Sequence, residues 1–461
     1  MKKILFYLDG WFLHFGIANK LQNEFELFGI VDVAPKTEKF YRTQKIVDFK
    51  KLFYYNDMEE KTDLVEFEKK YNVPFTQILY GERHFSKFSP NEIHEILAKE
   101  SKFFEDVIDN VMPDFFLSYM PITHQNVLCE KICKAKGIDC HILSTMKLGN
   151  RMMISKEAHT FDTFNSNTFA KLETNPYNSI KNFKKLNFED QKFFRFKSLY
   201  NFLKDYTPTN RIEDKGKTRI GIIKQRIDRK IKRKNITPFL ESLPKQLPNK
   251  FVYFPLHYEP EKALLVDAPF YTEQLNVIAN IAKSLPIRYQ LCVKEHPMME
   301  TIGWRTKEYY QKIIDMPNVL LIHTNLNPQD IIQKTDLVIS ISGSACMEAS
   351  FEHTPSISLS KKIGLSRFVE NIQELPKIIK EELSHKITDE EIDILSSNIL
   401  ENSFEFSHHQ LCANFAYEFG MKGPSMNQLL DEEKIINFLS IYDDDFTILE
   451  KEHLRKINLE T

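Results

Sequence analysis

Short apolar runs that end on turn residues alternate, along the first third of the chain, with segments whose apolar positions recur three and four apart. Lys3–Leu8 is such a run and closes on Asp9-Gly10, and Phe12–Leu21 then takes up helical spacing, so a strand, a turn and a helix are expected. Phe25–Val33 reads as a second strand and Phe115–Tyr119 as another, after Pro113-Asp114. Thr123 can cap a helix that runs through Lys136, with Gly137 ending it before a strand over Ile138–Leu143. Between these, residues 36–110 mix aromatic and charged positions and are expected as helical insertions.

The same alternation is clearer in the second half. Strands are expected over Lys250–Leu256, Tyr289–Val293, Val319–His323, Leu337–Ile341 and Ser356–Leu359. Helices are expected between them over Thr272–Ser284, Lys307–Ile314, Pro328–Lys334 and Ala345–Glu352. Strands alternating with helices over short loops argue for parallel sheets, hence an α/β protein with two doubly wound, Rossmann-like domains facing a cleft. From 155 to 245 strand signals fade and helix-like patterns such as Phe188–Tyr206 take over. From 386 onward the chain reads as a helical tail without strand rhythm. The expected division is therefore 1–154, a helical connector 155–245, a second Rossmann-like domain 246–385, and the tail 386–461.

Composition narrows this picture. Apolar residues make up 42% of the 461 and charged residues 27%, with 37 Phe and 18 Tyr, enough for two cores and far from the disordered class. A net charge of −2 excludes a molecule built as a polycation to coat nucleic acid or an anionic membrane, so any such contact must be local. Arg211–Lys234 departs from that balance, with eleven basic residues against three acidic ones. The stretch suits a solvated helix face, or peripheral contact with anionic lipid headgroups or a phosphorylated acceptor. The five apolar residues Ile4–Leu8 fall short of the roughly 7–15 of a secretory leader, and no run approaches the roughly 18 of a membrane span. Six cysteines form no disulfide framework in a chain this long, so a cytoplasmic address is expected, and Cys129, Cys133 and Cys140 read as small buried thiols.

Ligands of open parallel sheets bind beyond the carboxyl ends of the strands, where loops and helix N-termini converge. Three polar clusters meet that condition in the second domain: His257–Glu261, Lys294–Pro297 and Ser340–Ser344. Ser342-Gly343-Ser344 offers hydroxyls and backbone amides to a phosphate, with Ser344 as helix cap the structural alternative. Glu348 suits either ribose hydroxyls or the helix dipole. His296, stiffened by Pro297 and flanked by Lys294, can donate to a phosphate oxygen as charge grows on a departing nucleotide. Glu261, after Pro260, is placed to act as acid or base on an incoming hydroxyl. Asp9, Gly10 and His14 follow the first strand and would face the cleft from the other domain as acceptor contacts, with His257 a further acceptor-side candidate. Asp443-Asp444-Asp445 and His408-His409 lie in the tail and are expected as a solvated charge run and as packing or surface residues. No metal, no P-loop and no dinucleotide fingerprint is expected.

Phe254–Glu261, Val293–Pro297 and Ser340–Ala345, with Glu348-Ala349 and Pro355, resemble the capsule polysaccharide biosynthesis family over roughly residues 250–360. That family includes the bacterial transferases that add Kdo, an acidic keto-sugar, from its CMP-activated form. The resemblance implies a GT-B-type glycosyltransferase with no cofactor and a nucleotide sugar, CMP-linked, as donor. Its Pro-Glu motif falls on Pro260-Glu261 and implies a catalytic or acceptor-facing carboxylate at Glu261. Its His-Pro motif falls on His296-Pro297 and implies contact with the CMP phosphate. Glu259 stands where the Kdo enzymes tend to show Gln, and Ser342–Ala345 where Thr-Gly-Thr is commoner. The implied acceptor is a surface polysaccharide or glycolipid at the inner face of the cytoplasmic membrane. A nucleotide-sugar epimerase or hydrolase of the same fold, and a non-catalytic glycan-assembly subunit, are the alternatives.

Overall fold

The computed structural model describes residues 1–121, 123–146, 148–172, 215, 218–259, 262–361, 363–419 and 427–459. The expected helix Phe188–Tyr206 and the pair Pro260-Glu261 lie outside the described residues. Two compact units emerge, one from 1–163 with 400–461, the other from 164–173 with 218–399. They divide the chain differently from the four-part scheme: the last sixty or so residues return to the first unit, and 218–245 belongs to the second.

In the first unit β1 (Lys3–Leu8), β2 (Glu26–Val31), β3 (Phe49–Tyr54), β4 (Phe115–Tyr119) and β5 (Asp139–Thr145) pair in parallel in the order β5-β4-β1-β2-β3. Two-residue periodicity divides β1 between two cores. Ile4, Phe6 and Leu8 enter one cluster with helix α1 (Leu13–Leu21), while Leu5 and Tyr7 enter the other. That second cluster also takes side chains from α3 (Leu64–Tyr71), α4 (Phe75–Gly81), α5 (Pro90–Val111) and α6 (His124–Ala135), and from the neighbouring strands through Ile30, Phe116 and Ile142. A further short helix, α2, spans Pro35–Thr43. Thr123 caps α6 by accepting from Asn126 N–H, and Gly137 follows its end at a φ of +73°, as expected. The helical insertions do contain a strand, however: β3 runs along the sheet edge, and its lysines face outward and mask the alternation.

The remaining two strands of that sheet are antiparallel. β6 (Arg151–Ser155) turns back on β5, and a two-residue strand in the tail, Phe404–Glu405, pairs with β6. Phe404, Phe406, Leu411, Phe415, Phe438 and Phe446 of the tail share the core of Ile4, Phe12 and Phe15. The Phe12 and Phe415 rings stack at 4.9 Å. Gly16 is the point of closest approach, since a Cβ there would meet the Phe446 ring at 2.0 Å. The tail is thus one wall of the first unit.

The second unit holds a six-stranded, all-parallel sheet. The strands are β7 (Phe251–Pro255), β8 (Gln290–Lys294), β9 (Val319–Ile322), β10 (Leu337–Ser340), β11 (Ser356–Ser358) and β12 (Arg367–Phe368), and their order is β12-β11-β10-β7-β8-β9. The strands and helices expected from the pattern are present within a few residues, with β12 in addition. From β7 the chain steps to β8 and β9 on one side and then returns to β10 and β11 on the other. The sheet therefore reverses direction between β7 and β10. In doubly wound folds that reversal opens a crevice at the carboxyl ends of the two strands.

Candidate functional site

His257 follows β7 and the Ser342–Ser344 turn follows β10, so the two flank the reversal in the second unit. They are bonded to each other. The Ser342 N–H donates to His257 Nε2 at 3.1 Å, which makes Nδ1 the protonated nitrogen of a neutral ring. Gly343 N–H donates to Ser340 Oγ at 3.0 Å, and a Cβ on Gly343 would stand 3.0 Å from that oxygen and 3.4 Å from His257 Nε2. A side chain at this position would press on the Ser340 hydroxyl and touch the imidazole, so glycine relieves a tight approach. The Ser342 hydroxyl is fully buried and bonded to no group among the described residues. Ser344 does not cap the helix Ala345–Phe351 through its side chain; its hydroxyl donates to Glu348 Oε1 at 2.9 Å instead. Glu348 is thereby held over the turn.

The third strand-end loop, after β8, is fixed from beneath. Glu295 is wholly buried and takes both oxygens to the Arg305 guanidinium, while Tyr310 O–H donates to Oε2 at 2.8 Å and His296 N–H to Oε1 at 2.6 Å. Arg305 reaches on to the His257 carbonyl at 2.7 Å, and Gln274 holds the same residue by accepting from its N–H and donating to its carbonyl. Gln274 also bonds Glu259, the residue before Pro260. Burial lowers the Arg305 pKa, but Glu295 more than offsets this and holds it above the ordinary guanidinium value, so Arg305 stays charged. One buried ion pair thus sets the relative position of the loops after β7 and β8.

His296 sits at the top of that scaffold, half-buried. Its Nδ1 accepts from Met298 N–H at 3.2 Å, which leaves Nε2 carrying the proton of the neutral ring, and its ring stands 6.1 Å from that of Tyr258. Pro297 is exposed and Lys294 is buried at the strand end. Of the residues singled out in the sequence, His257, His296 and the Ser342–Ser344 turn lie just beyond strand ends, and Glu348 lies on the helix that follows the turn. The sequence reading passed over Arg305, Gln274 and Tyr310, which hold the loops after β7 and β8. Glu295 within Lys294–Pro297 was the available signal, because a carboxylate at a strand end needs a cation.

In the first unit the sheet reverses between β1 and β4. Asp9 and Gly10 stand beyond β1, half-buried, with Asp9 Oδ1 accepting from Trp11 N–H at 3.0 Å and the Trp11 ring 42% exposed. His14 does not join them. It lies on the inner face of α1, 1% exposed beside Phe6, and burial pushes its pKa down to about 3; it is a neutral core residue rather than an acceptor contact. Beyond β4, His124 lies fully buried between Glu82 Oε2 at 2.8 Å and Glu100 Oε1 at 3.0 Å, with Tyr55 donating to the same Glu100 and Gln125 to Tyr55. Burial would lower the His124 pKa, but the two carboxylates lift it to about 10. This charged cluster ties α4 and α5 to the start of α6.

His408 and His453 are packing groups, while His409 is exposed. His408 stacks on Tyr119 at 4.7 Å and His453 on His141 at 6.1 Å. All six cysteines are buried and free. Among the described residues no group of His, Cys, Asp and Glu could hold a metal ion, and no helix is long and apolar enough to cross a membrane.

No family model matches the sequence, and no curated protein matches it. Among solved structures, the UDP-GlcNAc 2-epimerase of Methanocaldococcus jannaschii covers 90% of this chain and 100% of its own at 13% identity and a TM-score of 0.27. The UDP-GlcNAc 2-epimerase of Neisseria meningitidis, bound to UDP-GlcNAc, covers 87% of this chain and 98% of its own at 14% identity and 0.27. The glycotransferase of kitacinnamycin covers 90% and 98% at 9% identity and 0.25. Superpositions this loose carry no weight for activity; the α/β architecture with two parallel, Rossmann-like sheets and helices in the tail stands on the chain's own strands and helices.

Proposed function

We propose that the chain is a glycosyltransferase that moves a sugar from a nucleotide-activated donor, a CMP-linked keto-sugar acid such as Kdo, onto a surface polysaccharide or glycolipid. The supporting observation is the bonded set of strand-end loops at the β7–β10 reversal, which gathers the His296 ring N–H and the Ser342–Ser344 turn at the carboxyl end of the sheet. The ring N–H suits a phosphate, and the Ser344 hydroxyl would reach one by exchanging its bond to Glu348. In this reading His296 Nε2–H and the Ser342–Ser344 turn hold the donor phosphate and stabilise the charge left on it as the sugar departs. Lys294 adds positive charge beneath the loop, Pro297 stiffens it, and Glu348 takes a ribose hydroxyl. Glu261 serves the acceptor oxygen as acid or base. Asp9, Gly10 and the first unit supply acceptor contacts, and the work is done in the cytoplasm at the inner face of the membrane.

The test is nucleotide release from CMP-Kdo and other nucleotide sugars in the presence of glycolipid acceptors. Glu261→Gln and His296→Ala are each expected to lower turnover by about 10²–10³-fold, the range for removing an acid–base group or an oxyanion donor. Undiminished turnover in both variants would sink the assignment. Product formed without any acceptor would mean an epimerase or hydrolase. Failure to bind any nucleotide by calorimetry would mean a non-catalytic subunit.

A further inference from the structure

The helix Arg219–Glu241 commits only one face to its own unit. Ile236 and Leu240 enter the core, and Ile222, Arg226 and Arg229 are partly covered. By contrast Ile220, Ile223, Ile227 and Ile231 are 79%, 39%, 51% and 53% exposed. These four recur three, four and four residues apart, so they form one stripe, turned well away from the face of Ile236 and Leu240. The stripe is about 16 Å long at the rise of an α-helix.

Charge completes the pattern. Eight Lys and Arg lie on this helix against Asp228 and Glu241, and Lys224, Lys230 and Lys234 border the isoleucines. A solvated helix face has no use for four aligned isoleucines. A polyanion such as nucleic acid would engage the cations but offers the isoleucines no apolar phase. A second copy, stripe against stripe, would bring the bordering lysine rows together at a cost in repulsion. A basic helix of low overall hydrophobicity with one apolar face fits the boundary between anionic headgroups and acyl chains.

We propose that Arg219–Glu241 docks this protein on an anionic membrane, lying in the surface plane with Ile220, Ile223, Ile227 and Ile231 inserted and the bordering lysines at the phosphates. This contact needs neither donor nor acceptor sugar, so it stands or falls separately from the transferase reading.

The full chain is sedimented with vesicles containing phosphatidylglycerol and with vesicles of phosphatidylcholine alone. Binding about tenfold tighter or more to the anionic vesicles is expected, given several cations near the surface. The double variant Ile223→Ser/Ile227→Ser and the double variant Lys224→Glu/Lys234→Glu should each weaken binding by about tenfold. All four side chains are exposed, so unchanged thermal unfolding is expected of both variants. Absence of binding, or equal binding to both vesicle types, would overturn the proposal. So would an isoleucine variant that binds like the wild type, which would reduce the contact to charge attraction. A dimer seen by sedimentation equilibrium and dissolved by the isoleucine variant, without vesicle binding, would assign the stripe to a second copy instead.

Discussion

At the scale of single residues, the site rests on groups whose work is to hold other groups. Arg305→Ala would leave Glu295 buried without its counter-ion, and should cost about 3–5 kcal/mol in urea unfolding. Replacing both partners, as Arg305→Met with Glu295→Leu, should recover much of that loss while still releasing the His257 and His296 loops. Stability and nucleotide binding should therefore separate in the double variant, read by unfolding and calorimetry. Gly343→Ala is a finer probe: its Cβ meets Ser340 Oγ and His257 Nε2, and nucleotide affinity should fall roughly tenfold, about 1.4 kcal/mol. His257, His296 and Ser342 were legible in the sequence because a strand's carboxyl end can be read from its apolar run. Arg305 was not, since its pairing with Glu295 depends on how an intervening loop folds back. His14 was misplaced for a related reason: spacing identifies the helix, but only the packed sheet decides which face is inside.

At the scale of elements, two buried polar groups give the first unit opposite sensitivities to pH. His124 has its pKa raised by Glu100 and Glu82, so its stabilisation is complete below the ordinary histidine value and is lost as pH rises through about 10. Burial raises and His124 lowers the Glu82 pKa, with a net lowering; that contribution is lost instead as pH falls through the carboxylate range. His124→Gln should flatten the alkaline limb of a stability–pH curve. His14 and His408 behave the other way. Burial depresses them to about 3 and about 4, and it drives His453 well below the ordinary value, so their stabilisation holds above about 6.5 and falls with pH. His14 and His408 each give up about 2 kcal/mol by pH 5. Near-ultraviolet dichroism should accordingly show the packing of Asp443–Leu459 against the sheet loosening in mild acid, before Phe251–Ser358 responds. Elements with strong apolar runs were readable. β3 was hidden by its outward lysines, and Phe404–Glu405 is too short to carry a period.

At the scale of the whole molecule, the chain leaves the first unit and comes back to it. Residues 218–399 expressed alone should unfold cooperatively, because their sheet and core are made within that span. Residues 1–163 alone should not, because Phe404, Phe415, Phe438 and Phe446 are missing from their core. Calorimetry on both fragments checks this. The two-sheet plan was legible from the strand–helix rhythm, but the return of the tail was not, since aromatic side chains on helices do not say which sheet they will cover. That return also orders events in time. A ribosome adding roughly 5–20 residues per second needs on the order of 15–60 s to travel from the end of residues 1–163 to the tail. For that interval the surface around Phe12, Phe15 and Gly16 has emerged without its cover, and by its end the second unit is complete in sequence. The nascent protein is thus expected to hold a completed second unit while the aromatic face of the first is still open, and to be most dependent on chaperones in the seconds before Phe446 arrives.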